Sequence, residues 1–485
     1  METLMAYVNS FTEWMNQYAP AVANAADFVW SLKCLIPLLV GTGIYFTLRT
    51  GFCQVSKFRL AWQGTFGGLS LSGARANKDG MSSFQALATA IAGQVGTGNL
   101  AGAATAIALG GPGAIFWMWI AAFFGMATIF AEATLAQVYK ERDETGQVVG
   151  GPAYYIKQIF GGNSFIGKFL AGFFAIAIIL ALGLFGNAVQ SNSIADGFTN
   201  AFKGTITMDP VAFKFIIGAI LAVLCGFVFF GGIGRIASVC EKVVPIMAAL
   251  YLLGGLYILI VNYSHILPSL KMIFVGAFDT KAVLGGALGA TVKEAMRYGV
   301  ARGLFSNEAG MGSTPHAHAV AKVNHPGQQG CVAIMGVFID TFVVLNMTAL
   351  VIFVSGVLDT NYVDGAPILR GIQLTQAAFA HGMGSWGQVF IAVCLFFFAF
   401  STIIGWYFYG EQNIRYLWGS RGLTPYRIVV MLFVLVGSAL QLDLVWNLSD
   451  FFNAIMVLPN LVGLVCLGHV VSRVLKEYEN EVRLK

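Results

Sequence analysis

The sequence predicts an all-α integral membrane protein, and three observations carry that prediction. Hydrophobic residues make up 57% of the 485 positions and charged residues only 11%, against roughly 25% charged in a soluble domain. Mean hydropathy is +0.74. The apolar runs, such as FLAGFFAIAIILALGLF at 169–185, are apolar on every side, whereas the strands of a membrane barrel alternate.

A spanning helix takes about 20 residues to cross roughly 30 Å of hydrocarbon. A window of that length predicts eleven spans, at about 28–48, 84–109, 112–138, 165–196, 211–231, 243–262, 282–313, 330–357, 386–409, 426–442 and 445–472. Glu2 and Glu13 lie where a cleaved leader would carry a basic start and a short apolar core, so the first span is expected to belong to the mature chain. The seven cysteines are scattered without metal-ligand spacing and are expected to be reduced packing residues.

Basic residues mark alternate connections. Arg49, Lys57, Arg59, Arg75 and Lys78 follow the first span; Lys140, Arg142 and Lys157 follow the third; Arg235 and Lys242 follow the fifth. Arg302 and Lys322, then Arg415 and Arg421, then Arg473, Lys476, Arg483 and Lys485 continue the series. Lys and Arg are retained on the cytoplasmic side, which predicts a multi-pass protein of the plasma (inner) membrane with its N-terminus outside and its C-terminus cytoplasmic. The same bias accounts for the net charge of +5 without nucleic acid, for which no basic stripe with interleaved aromatics is present.

Two spans are softened at their middles. GQVGTGNLAG at 93–102 places Gly93, Gly96 and Gly98 within six residues, each about 1 kcal/mol worse than alanine in a helix. Gln94, Thr97 and Asn99 bring polar groups to the same place. An unwound stretch at membrane depth is tolerated where it lines a cavity. It offers free carbonyls to a cation and free amides to an anion. The second is GVARGLFSNEAGMGSTPHAHA at 299–319, where Gly303, Gly310 and Gly312 are expected to interrupt the helix.

The breaks open two five-span blocks, which divide the chain into 1–83 (first span and loop), 84–262, 263–472 and a tail at 473–485. An odd number of spans per block inserts the two with opposite topology. Paired interrupted helices in corresponding halves point to a secondary transporter with inverted repeats and a midplane site.

The stretches GQVGTGNLAGAATAIALGGPGAIFWMW (93–119) and GLFSNEAGMGSTPHAHA (303–319), with GVFIDT at 336–341 and GSWG at 384–387, resemble signature segments of the alanine or glycine:cation symporter family. The likeness runs over essentially the whole chain. It implies a leucine-transporter-type fold of two inverted five-helix repeats, here with one extra N-terminal helix. It also implies symport of alanine or glycine into the cell with sodium, or with protons, by alternating access. The G-x-G-N element of that fold group is Gly96, Thr97, Gly98 and Asn99 here, and Gln94 stands where some family members carry another polar or basic residue.

On that reading the substrate carboxylate meets the amides near Gly96, Thr97 and Gly98, helped by the Thr97 hydroxyl or the Gln94 amide. Asn187 and Gln190, with Ser191 on the same face and Asn192 beside it, are expected to serve the ammonium end or, alternatively, to glue helices together. The sodium ion is expected at the carbonyls of Ala92 and Val95 with the hydroxyls of Ser401 and Thr402, whose alternative is bonding back to their own helix. Trp406, one turn after Thr402, covers the pocket or anchors the chain at an interface, and Phe305 and Ser306 line the second break.

Glu308 is expected to pair with Arg302 or cap a helix, with proton coupling the other possibility for an ionisable group in a span. Glu132 and Asp340 are expected to lie nearer helix ends or neighbours and are assigned no part in transport. His316, His318 and His325 read as residues of a loop punctuated by proline, not as a metal site. A channel would share the glycine-rich polar segments. An enzyme would need a nucleophile elbow or a metal-binding HExxH, which the sequence lacks. The expected partners are alanine or glycine and the lipid bilayer, with no obligatory protein partner.

Overall fold

The computed structural model describes residues 19–31, 33–67, 76–162, 164–279, 291–363, 366–440 and 442–484. Arg75 and the start of the expected seventh span fall outside them. Helix α1 (Leu35–Arg49) precedes the first broken helix, whose halves are α2 (Ser83–Gln94) and α3 (Gly98–Gly110). A capping box starts α2: Ser82 Oγ accepts from the Gln85 amide at 3.1 Å and Gln85 Oε1 accepts from the Ser82 amide at 3.0 Å.

Helices α4 (Ala114–Val138), α5 (Phe165–Ala201), α6 (Pro210–Phe229) and α7 (Gly232–Val261) complete the first half. The second half opens with α8 (Val292–Asn307) and the short α9 (Pro315–Ala319), which flank the second break. It continues through α10 (Pro326–Val354), α11 (Trp386–Trp418), α12 (Leu423–Gly437) and α13 (Leu442–Cys466), and ends in α14 (Gly468–Leu484).

Among the described residues, seven helical stretches are long and apolar enough to cross a membrane, one of them running through both α11 and α12. The halves of the broken helices fall below that length because each crosses only part of the way. The helix 243–262 of the sequence reading begins eleven residues earlier, at Gly232. Arg235 and Lys242 therefore lie on a helix and not in a loop, as charges at a helix start read like a connection. Helices Ala19–Val29, Ile266–Gly276 and Ile372–Met383 were not expected, each being shorter than a span.

Gly303 lies inside α8 and does not break it. A Cβ there would sit 3.2 Å from Met118 Cα, so this glycine lets α8 approach α4 closely, as small residues do between membrane helices. The break comes at Glu308, in a left-handed conformation (φ 58°), followed by Gly310 and Gly312 at φ 84° and 81°.

Helices α2, α3, α4, α8 and α10 pack on one another, while α5 packs on α11, α12 and α13. The two broken helices are tied where α2 begins and α9 ends: the Met81 amide donates to Val320 O at 3.0 Å and the Lys322 amide to Met81 O at 2.9 Å. Gln137 of α4 secures the same stretch by donating to Ala319 O at 3.1 Å and Ala321 O at 3.0 Å. Wide π-type turns occupy Gly98–Gly102, Ile179–Gly186 of α5 and Phe338–Leu345 of α10. Such turns expose groups that an α-helix would bond internally, and they recur at functional sites.

Candidate functional site

Helix α2 stops because Val95 leaves the helical region (φ −83°, ψ 88°). The carbonyl end of the break meets Thr402 of α11, whose hydroxyl lies 2.8 Å from Ala92 O, 3.4 Å from Val95 O and 3.0 Å from Phe398 O. At the amide end, Gly96 donates to Asn99 Oδ1 at 3.0 Å and Thr97 to Gln190 Oε1 at 3.3 Å. Glycine is required at 96, since a Cβ would run into the Thr402 hydroxyl and lie 3.3 Å from Gln190 Oε1.

The second break closes on the first. A Cβ on Gly98 would lie 3.1 Å from Ser306 Cα, and Gln94 Nε2 donates to Asn307 O at 2.7 Å. Gln94 is therefore a bridge between the two breaks. Two buried oxygens of the first break, Gln94 Oε1 and Thr97 Oγ1, have no protein partner among the described residues, and neither has Asn187 Oδ1 on α5, three residues before Gln190. A buried acceptor left unmade costs about 1–3 kcal/mol, so each invites a ligand or water.

The expected substrate residues divide. Gln190 touches the break, and Asn187 spends its amide on Gly183 O of its own helix at 3.0 Å while its oxygen stays free of partners. Asn192 does not belong to the site: its amide donates to Gly437 O, Ser438 O and Leu440 O at 3.0, 3.3 and 2.7 Å. Ser191 likewise bonds Val434 O at 2.6 Å. These two hold α5 against α12, and the interhelical alternative applies to them.

Of the two hydroxyls expected at the cation, only Thr402 reaches the break. Ser401, one position round the helix, donates to Phe398 O at 2.9 Å and lies 3.3 Å from Met247 Sδ of α7. Trp406 is buried inside the protein and does not anchor at an interface. Its ring meets Phe305 edge-on at 6.3 Å and 88°, and Phe305 in turn packs on Trp446 at 5.6 Å. Beyond Phe305 is a cavity of about 90 Å³ spanned by the Arg302–Asp450 ion pair at 3.2 Å.

Three carboxylates lie at the centre of these contacts, none exposed by more than 1%. Glu308 does not pair with Arg302. It accepts from Trp406 Nε1 at 2.5 Å and from Ser313 Oγ at 2.7 Å. Asp340 is mid-helix, not near an end, and accepts from Asn99 Nδ2 at 2.6 Å, Thr341 Oγ1 at 2.9 Å and Ser306 Oγ at 3.0 Å. Glu132 receives the amides of Gly310 and Gly312 at 3.0 and 2.9 Å and Asn460 Nδ2 at 2.7 Å. The only advance signal was their presence inside apolar spans.

The histidine flank is a loop only from 320 to 325, where His325 caps the start of α10. His316 and His318 are buried in α9, with His316 stacked between Phe174 and Tyr409 and its Nε2 bonded to Asn413 at 2.8 Å. His318 Nδ1 bonds Gln329 at 2.8 Å. No cluster of three metal-ligating side chains occurs among the described residues.

Comparison with known proteins accords with this geometry. The chain is 42% identical over 466 residues to the sodium/alanine symporter AgcS of Methanococcus maripaludis, covering 96% of this chain and 98% of that one. It is 41% identical over 461 residues to the amino-acid carrier protein AlsT of Bacillus subtilis, covering 94% and 91% respectively. The solved structure of MhsT in complex with L-phenylalanine shares the fold, with a TM-score of 0.56 at 14% identity over 79% of this chain and 87% of that one. A profile of the sodium:alanine symporter family matches residues 15–485. A leucine-transporter-type arrangement of helices, broken twice at one buried polar junction, is thus a transporter and not an enzyme, and the chain belongs to the sodium:alanine symporter family.

Proposed function

We propose that this protein carries alanine or glycine into the cell together with sodium, by alternating access. The observation that carries the reading is the first break, where the carbonyls of Ala92 and Val95 converge on the Thr402 hydroxyl while Gln190 and Asn99 occupy the amides. Sodium is a hard cation that takes oxygen ligands, and this donor set fits it. The substrate carboxylate would displace Gln190 and Asn99 from the amides of Thr97 and Gly96. The ammonium would take the unpartnered oxygens of Gln94, Thr97 and Asn187. Phe305 and Trp406 would limit the side chain to a hydrogen or methyl.

The name of AgcS supports alanine, and glycine differs from alanine by one methyl. One methyl changes binding by only about 1–3 kcal/mol, so both are accepted. With the basic loops cytoplasmic, the N-terminus lies outside and the protein sits in the plasma membrane. Each sodium ion entering at 100 mV contributes roughly 2.3 kcal/mol, which concentrates a small amino acid. The helices of the two repeats rock about the fixed site to expose it to one side at a time.

The test is uptake of labelled alanine and glycine into proteoliposomes under an inward sodium gradient, compared with an equal potassium gradient. Accumulation above equilibration with sodium alone is expected. Equal uptake under both gradients would overturn sodium coupling, and conduction without saturation would indicate a channel.

A further inference from the structure

The second break carries a side chain whose position the transport reading does not use. Glu308 is one of three non-glycine residues with a left-handed backbone among those described (φ 58°). That conformation aims its carboxylate away from α8 and across to α11. One oxygen accepts from Trp406 Nε1 at 2.5 Å and the other from Ser313 Oγ at 2.7 Å. No Lys or Arg pairs with it among the described residues.

Trp406 is held on its other sides by shape alone. A Cβ on Gly186 would lie 2.7 Å from the indole Cζ3, so the ring lies flush on the backbone of α5, and Phe305 meets it edge-on. An aromatic side chain turns about two bonds. Gly186 and Phe305 bound its path without giving it a directional bond. The directional bond comes from Glu308, whose carboxyl oxygen accepts the indole NH.

We propose that Glu308 is a specificity-determining positioning residue: by holding the indole of Trp406 against Gly186, it sets the largest side chain the substrate pocket accepts. The proposal rests on the reading of the first break as a small-amino-acid site. It makes a prediction that a purely structural role does not, because the size limit should relax while the carried ion and the α-amino and carboxyl contacts stay the same. Glutamine at 308 keeps an oxygen for the indole and should keep the limit. Aspartate keeps the carboxyl group but withdraws it by one methylene, and should lose the limit.

The experiment is competition for sodium-driven uptake of labelled alanine by glycine, 2-aminobutyrate and valine, using the full chain in proteoliposomes. The readout is the ratio of inhibition constants for 2-aminobutyrate and alanine. Glu308→Ala is expected to lower that ratio at least tenfold and Glu308→Gln to leave it within twofold. Glu308→Asp is expected to follow the alanine variant and carries the test should that variant not assemble. Adding Trp406→Phe, which has no indole NH, to Glu308→Asp should shift the ratio no further than Trp406→Phe alone.

An unchanged ratio in Glu308→Asp and Glu308→Ala would overturn the proposal. So would an equal shift in Glu308→Gln, or loss of uptake in a folded Glu308→Gln, which would make the acid an ion carrier. Absence of sodium-driven alanine uptake in the unaltered protein would instead overturn the reading of the site itself.

Discussion

Replacing Thr402 by valine tests the cation site most sharply. Valine keeps the branched shape that packs over Gly96, so the change is confined to one hydroxyl. That hydroxyl lies 2.8 Å from Ala92 O and 3.4 Å from Val95 O. Without sodium its loss removes one ordinary hydrogen bond, about 1 kcal/mol. With sodium bound it removes a ligand to a full charge, about 1.5–3 kcal/mol by analogy with hydrogen bonds to charged groups. The affinity changes by the difference, about 0.5–2 kcal/mol, so at 1.4 kcal/mol per tenfold half-activation by sodium should rise by about 2- to 30-fold, with the maximal rate approached at high sodium. Initial rates of labelled alanine uptake against external sodium, at constant ionic strength with choline, measure the shift. Ser401→Ala is the control, since that hydroxyl is turned to Phe398 O and Met247 Sδ, and its shift should be clearly the smaller. Sodium activation of Thr402→Val indistinguishable from that of the unaltered protein would refute the site.

Gly98→Ala places a methyl 3.1 Å from Ser306 Cα and forces the two breaks apart; uptake should fall at least tenfold, with overpacking of about 1–3 kcal/mol visible in thermal unfolding. Asn192→Ala removes a donor from three carbonyls of the α12 end and should destabilise by about 1–3 kcal/mol while the KM for alanine stays within twofold. Asp143 bonds Arg415 at 2.7 Å and latches the α4–α5 connection to α11; hydrogen exchange across residues 141–149 should quicken at least tenfold in Asp143→Asn. Burial opposes the Asp143 charge, yet bonds from Thr145, Gln147 and Arg415 hold its carboxyl below the usual 3.8. The latch is therefore fully present above that pH and is lost only as pH falls through the lowered value, so exchange there should be the same at pH 5.5 and 7.5 apart from the intrinsic chemical rate.

The first break was legible because clustered glycines weaken a helix locally, whatever surrounds it. Gln190 was legible for a related reason, as an amide in an apolar stretch needs a partner. Which partner it finds is a tertiary matter. Asn187 and Asn192 look alike in sequence, but the wide turn at Ile179–Gly186 changes the phase of α5 just before them, and a 3.6-residue wheel does not say which amide faces α12. The partners of Glu132 lie 178 and 180 residues away on backbone amides, which no side-chain pattern records. Pro315 suggested a loop, whereas proline at the first position of a helix is favoured and α9 starts there.

The hold of Glu132 on Gly310 and Gly312 makes the two breaks chemically unlike. The amides of the second break are already taken by a carboxyl group supplied by the protein and fastened by a third donor from Asn460. The amides of the first break are satisfied only by neutral side-chain oxygens, which can be displaced. On the proposed reading, a zwitterion arriving at this junction would find a single receptive amide end, and its head would be told from its tail because the other seat is filled in advance.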